Sequence, residues 1–167
     1  MESNPHSSGG KLMLAIAWAL IIGGLYWYFS QRQAHEMNPN TAAALSAQRG
    51  ELTLARNRAG HYLAEGEISG RPVTFLLDTG ATWVALPLSL GRELGLKRGA
   101  AVTLMTANGP APGYQTRLAS VRLGPLELTD VGAVMSEGLE KEVVLLGMSF
   151  LGRVEFTQRG DQLILRQ

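Results

Sequence analysis

The chain has 167 residues, a net charge of +1 and no cysteine. That length suits one domain with accessory segments. A near-neutral charge without a basic stripe argues against a nucleic-acid partner, and the missing thiols exclude disulfides, a cysteine nucleophile and thiolate metal sites. The histidines, His6, His35 and His61, are scattered, so neither a His-based metal site nor a Ser-His-Asp triad is expected. No metal or cofactor is predicted.

Residues 1–11 are polar, small and Gly/Ser-rich, a composition expected to be disordered. Residues 12–29, Leu12 to Phe29, carry no charge. As a helix they would span about 27 Å, close to the hydrocarbon thickness of a bilayer. Tyr26, Trp27 and Tyr28 cluster where an interfacial aromatic belt would sit, and no small-x-small cleavage site follows. An uncleaved transmembrane anchor is therefore predicted rather than a signal peptide. Lys11 and Arg32 flank the run almost symmetrically; the short tail is placed inside and the domain outside. Residues 30–50, with Asn38-Pro39-Asn40, read as a tether, with a short helix over Thr41 to Gln48.

From Glu51 the pattern changes to period two. Glu51 to Ala55 is a strand. His61 to Ile68 and Val73 to Leu77 form a hairpin around the turn Ser69-Gly70-Arg71-Pro72. Strand character resumes at Trp83 to Leu86. Ser89 to Leu96 is predicted as a helix capped by Ser89 and ended by Gly95. Val102 to Thr106 and Tyr114 to Leu123 are strands joined by a Gly/Pro-rich connection. Leu126 to Met135 and Val143 to Leu146 are further strands, Met148 to Leu151 a short helix, and Val154 to Leu165 a closing hairpin. Many short strands with few helices predict an all-β, barrel-like domain over residues 51–167.

The stretch that organises this domain is Phe75-Leu76-Leu77-Asp78-Thr79-Gly80-Ala81. An apolar strand runs straight into a carboxylate, and burying an unpaired carboxylate costs several kcal/mol. Such a placement points to chemistry. Two further features follow in order: the turn-rich tip Ala107-Asn108-Gly109, and the apolar strand ending in Leu145-Leu146-Gly147 before Met148-Ser149-Phe150-Leu151.

This order of triplet, hairpin tip and apolar-apolar-Gly resembles the retropepsin-like aspartic proteases, and most nearly their bacterial membrane-anchored members. The resemblance covers about Leu52 to Leu165. It implies a single-lobe acid-protease barrel, closed or partly open. It implies Asp78 as the catalytic aspartate, with Thr79, Gly80 and Ala81 completing the active-site loop. Thr79 would clasp its counterpart in a partner subunit. Ala107, Asn108 and Gly109 would form a flap over an extended peptide. Leu146 and Gly147 would support the loop from below. At Ala81 the pepsins carry a hydroxyl that bonds the carboxylate; its absence leaves the pair easier to protonate and predicts a mildly acidic optimum.

Peptide hydrolysis of this type uses two carboxylates sharing one proton. The chain carries one Asp-Thr-Gly, and neither Asp130 nor Asp161 is followed by Thr-Gly. The resemblance therefore implies an isologous homodimer with its site on the two-fold axis. The implied protein is a membrane-anchored aspartic endopeptidase of a bacterial inner membrane, its domain periplasmic. The alternative is a non-catalytic dimeric peptide-binding module. Leu76, Val84, Val144 and Leu146 are expected to wall the substrate pocket. Trp83 is expected in the core or a pocket wall, and Ser149 and Thr82 are assigned to structural hydrogen bonds.

Overall fold

The computed structural model describes residues 7–41, 50–106, 109–139 and 143–167. Two compact units divide the chain, meeting at Glu36 and Met37.

The first unit ends at Glu36 and consists, among the described residues, of helix α1, Ser7–Met37, whose last residue falls in the second. The helix begins inside the segment expected to be disordered and continues through the first residues of the expected tether. Residues after Phe29 are good helix formers, and the Arg32–Glu36 pair at i,i+4 supports that turn. Within α1, Lys11–Gln33 is long and apolar enough to cross a membrane. The helix expected over Thr41 to Gln48 lies outside the described residues but for Thr41, which is not helical.

The second unit is mostly β. Its strands are β1 (Glu51–Ala55), β2 (Leu63–Ile68), β3 (Arg71–Leu77), β4 (Val84–Pro87), β5 (Ala101–Thr106), β6 (Gly109–Leu123), β7 (Leu126–Ser136), β8 (Val143–Leu146), β9 (Glu155–Arg159) and β10 (Gln162–Arg166). Two short helices interrupt them, α2 (Leu88–Glu93) and α3 (Met148–Leu151). The larger sheet runs β2-β3-β8-β4-β7-β6-β5. Pairing of Glu67 with Arg122 and Ile68 with Val121 joins β2 to β6, closing six strands into a barrel with β5 outside the closure. The alternating pattern read from the sequence is the inward face of this barrel, which buries Ile68, Phe75, Leu86, Leu118, Val121, Val131 and Leu146. A three-stranded sheet, β1-β10-β9, buries Leu52, Leu54, Leu163 and Leu165 against the same core.

Local departures have local causes. The β2–β3 turn takes two residues, Ser69 and Gly70, both at positive φ, the geometry matched to strand twist. Arg71 and Pro72 are therefore already in β3. Proline is tolerated there because β8 joins β3 only from Thr74 onward. In α2 the N-cap is Pro87, with no side-chain cap, and Ser89 lies inside the helix. Gly95 does end it. At φ +66°, its N–H reaches the Arg92 carbonyl while that of Leu96 reaches Gly91. β6 starts five residues before the expected Tyr114 because Pro110-Ala111-Pro112 stays in register with β5, on a stretch that β7 has not yet joined.

One feature of this unit has no counterpart in the sequence reading. Asn40 is buried and fully hydrogen-bonded. Its Nδ2 donates to the carbonyls of Ala55 (2.8 Å) and Leu63 (2.7 Å), and its Oδ1 accepts from Ala55 N–H (2.7 Å). Its own carbonyl accepts from Glu65 N–H at 3.2 Å. Asn40 thus ties the end of β1 to the start of β2.

Candidate active site

The site is built where β3 ends. Parallel pairing sets Leu76 beside Leu145 and Leu77 beside Leu146. β4 then returns between β8 and β7. The chain from Asp78 to Trp83 must therefore turn back within the width of one strand. Along β3 burial falls off from Phe75, which is inaccessible, to half-buried Leu76, Leu77 and Asp78, and Thr79 and Gly80 are exposed. The Asp78 carboxylate sits at the mouth of the barrel rather than in its core, so the full cost of burial expected from the sequence does not arise.

The loop is held through its backbone. Asp78 N–H donates to the Leu146 carbonyl (3.2 Å), and Ala81 N–H to that of Asp78 (3.2 Å). From below, Met148 N–H donates to the Ala81 carbonyl (2.8 Å) and Ser149 N–H to that of Thr82 (2.9 Å). The Ser149 hydroxyl donates to the Gly132 carbonyl (2.8 Å) on β7 and accepts from Val84 N–H (2.9 Å) on β4. Ser149 is thereby the structural anchor foreseen for it. Thr82 contributes its backbone carbonyl, which accepts from Ser149 N–H.

Gly147 makes this stacking possible. A Cβ there would fall 2.6 Å from the Ala81 carbonyl oxygen, 2.8 Å from the Trp83 carbonyl carbon, and closer still to the Trp83 oxygen. Its φ of −88° is open to any residue, so space alone demands glycine. Gly80 has a different role. Its N–H donates to Asp78 Oδ1 at 2.9 Å, and a Cβ would approach that oxygen to 3.1 Å. The carboxylate thus has one backbone donor, while the methyl of Ala81 offers none.

The structure brings Asp78, Thr79, Gly80, Ala81, Leu146 and Gly147 together. Ala107 and Asn108, the expected flap tip, lie outside the described residues. Gly109 opens β6 at φ +100°, and its carbonyl accepts the Thr106 hydroxyl at 2.7 Å across the β5–β6 hairpin. Three of the expected pocket walls are core residues instead: Val84 and Leu146 are inaccessible and Val144 nearly so, while only Leu76 is half-exposed. Strands β4 and β8 are central in the sheet, β4 buried on both faces and β8 on the face of Val144 and Leu146, which a run of apolar residues alone does not distinguish from a pocket wall.

The other aspartates of the domain are committed elsewhere. Asp130, exposed on β7 at φ +52°, accepts both Nε and Nη2 of Arg117, the latter at 2.7 Å. That hydrogen bond holds its carboxyl below the ordinary value of 3.8. Asp161 lies in the β9–β10 turn, 3.9 Å from Arg56. Among the described residues no three His, Asp or Glu side chains gather as a metal site would require.

Residues 64–153 match the family described as "gag-polyprotein putative aspartyl protease". An uncharacterized protein of Sinorhizobium sp., from the cobV 5′ region, is 30% identical over 93% of this chain and 71% of its own length. The uncharacterized protein RP867 of Rickettsia prowazekii is 30% identical over 92% of this chain and 68% of its own. Among solved structures, a retropepsin-like aspartic protease from Rickettsia conorii superposes with a TM-score of 0.57 and 31% identity, covering 70% of this chain and 89% of that one. The family match runs through the loop that carries Asp78, the fold agrees with it, and the chain belongs to the retropepsin-like aspartic proteases.

Proposed function

We propose that the chain is an aspartic endopeptidase whose catalytic pair is Asp78 of one subunit and Asp78 of a second copy. The observation that carries this reading is the Asp78 loop. An accessible carboxylate stands on a backbone that β8 and α3 hold rigid, and the other aspartates of the domain are paired with arginines at the surface. Hydrolysis needs two carboxyls with one proton between them. An isologous dimer supplies the second across its two-fold axis.

In this reaction one carboxylate takes a proton from water as the oxygen attacks the scissile carbonyl carbon. The other carboxylic acid gives its proton to the carbonyl oxygen. The resulting gem-diol collapses, the C–N bond breaks, and the departing nitrogen takes up a proton. Gly80 N–H keeps Asp78 oriented throughout. Exposed Thr79 would bond its counterpart across the axis, and the β5–β6 hairpin, with Ala107, Asn108 and Gly109 at its tip, would close over an extended peptide. Helix α1 would anchor the enzyme in a bacterial inner membrane, with the β domain on the periplasmic side.

The test uses the full chain in detergent and peptide substrates. Wild type is expected to cleave and Asp78→Asn to be inactive. Mixing equal amounts of the two is expected to leave about a quarter of the activity per total protein, because both carboxyls must be intact in one dimer. Half the activity would show a self-sufficient monomer. Equal cleavage by both proteins would refute the role of Asp78, and tight peptide binding by wild type without turnover would leave a binding module.

A further inference from the structure

We propose that a cleft beside the Asp78 loop is an outer specificity subsite that takes an acidic side chain of the bound peptide, in register with but outside the scissile pair. This inference rests on the endopeptidase reading above.

The cleft, of about 570 Å³, is lined by Trp83. Trp83 lies two residues beyond Ala81 of the candidate active-site loop, and its carbonyl is one of the groups packed against Gly147. The indole is 40% exposed and lies across Gly132: a Cβ on that glycine would fall 2.6 Å from Cζ3 and 2.9 Å from Cε3. Gly132, having no side chain, therefore leaves the space that the ring occupies beside β7. The opposite wall is the base of the β5–β6 hairpin, the element expected to cover the peptide. Gly99 N–H donates to the Gln115 carbonyl (2.8 Å), Gln115 N–H to that of Ala100 (2.9 Å), and the Thr116 hydroxyl to that of Lys97 (2.9 Å). The cleft is thus preformed, and it joins the floor of the site to the root of the flap.

Its charge is one-sided. Lys97, Arg98 and Arg117 line it, and among the described residues no acidic one does. Arg117 has its own counter-ion in Asp130. Among the described residues Lys97 and Arg98 meet no carboxylate within ion-pair distance, and Arg98 is steadied over the Tyr114 ring at 4.9 Å. Two cations that meet no carboxylate among the described residues, in one cleft with an exposed indole, suit a carboxylate on a short apolar stem. The larger cleft, of about 740 Å³ between β3 and α2, contrasts with this. Its Arg71 and Glu93 neutralise each other, and none of its lining residues belongs to the Asp78 loop.

The experiment uses the full chain and extended peptides that carry Glu or Gln at each position in turn. At one position outside the scissile pair, Glu is expected to exceed Gln by about tenfold in kcat/KM at low salt, shrinking as salt rises. Lys97→Gln with Arg98→Gln is expected to bring that ratio to near one. Removing charge on β9 by Arg159→Gln is expected to leave the ratio in place. A second readout needs no turnover. In Asp78→Asn with Trp18→Phe and Trp27→Phe, the Glu peptide is expected to change Trp83 fluorescence, and the Lys97 and Arg98 substitutions to weaken that binding about tenfold. Equal cleavage of Glu and Gln peptides at every position overturns the proposal, as does a preference the paired substitutions do not touch. If no peptide is cleaved but the Glu peptide still binds beside Trp83 through Lys97 and Arg98, the endopeptidase reading fails and the subsite stands.

Discussion

Two irregular segments of this chain are immobilised by hydrogen bonds running in opposite senses. In the Asp78–Val84 loop the neighbours hold the backbone: amide groups of Asp78, Ala81, Met148 and Ser149, with the Ser149 hydroxyl, secure the chain on both sides. The Asp78 carboxylate is left facing solvent with one donor, Gly80 N–H. In Asn38-Pro39-Asn40 the side chain does the holding. Asn40 spends its amide on the carbonyls of Ala55 and Leu63 and its oxygen on Ala55 N–H, and is buried in doing so. The Asp78 segment is fixed through atoms every residue has, which leaves its side chain free. A segment meant only to join β1 to β2 spends its side chain on the joint.

Breaking the first segment should have the largest effect. Gly147→Ala would drive a methyl into the carbonyls of Ala81 and Trp83, rigid backbone atoms that cannot step aside. A loss on the order of 3 kcal/mol or more is expected, seen as a lowered denaturation midpoint and loss of peptide cleavage together. A stable, active Gly147→Ala protein would show that the loop is not seated on β8 and α3 as described.

The second segment should cost stability without entering the site. Asn40→Ala orphans two carbonyls and one N–H at once, for an expected loss of about 2–3 kcal/mol. Asn40→Asp should be worse than alanine, because a carboxylate would face the Ala55 and Leu63 carbonyls with no proton to donate. Urea denaturation of the two variants decides the order. If aspartate proves milder, the amide is not bonded as Asn40 is here.

Ser149→Ala tests a side chain that supports the Asp78 loop. It removes the bridge between Gly132 and Val84, for about 1–2 kcal/mol. Because that bridge sits under the loop, kcat should fall more than KM changes. A change confined to thermal stability would make Ser149 part of the scaffold only.

The smallest effect belongs to the surface pair Arg117–Asp130. Arg117 lowers the Asp130 carboxyl below its ordinary value of 3.8, so the pair contributes above that pH and loses its contribution as pH falls through the lowered value. Asp130→Asn keeps a side chain that tolerates positive φ. It is expected to shift Tm by no more than about a degree or two near pH 7, and by nothing in strong acid. A large shift would place Asp130 in a tighter role than an exposed pair allows.

The difference between the segments also explains what could be read in advance. Asp78-Thr79-Gly80 and Leu145-Leu146-Gly147 were legible because each joins an apolar strand to a residue with a stereochemical requirement, and the two requirements are complementary. Asn38-Pro39-Asn40 was not, since a buried asparagine and a turn asparagine have the same neighbours in sequence. Val84, Val144 and Leu146 were misplaced as pocket walls for a related reason. Apolar runs announce burial but not whether the burying surface is a core or a cleft. Trp83, assigned to core or pocket wall, lines a cleft, 40% exposed and packed against Gly132.

The sequence by itself determined the all-β character of the domain, the apolar N-terminal helix, the aspartate at the end of β3 and the glycine beneath it. These rest on period, hydropathy and local stereochemistry, which are properties of neighbours along the chain. Only the tertiary structure decided the closure of β2 on β6, the Asn40 joint, the Ser149 bridge and the cationic cleft that Trp83 lines. Each depends on groups distant in sequence arriving within hydrogen-bond or contact distance, and such meetings are set by how the strands are ordered.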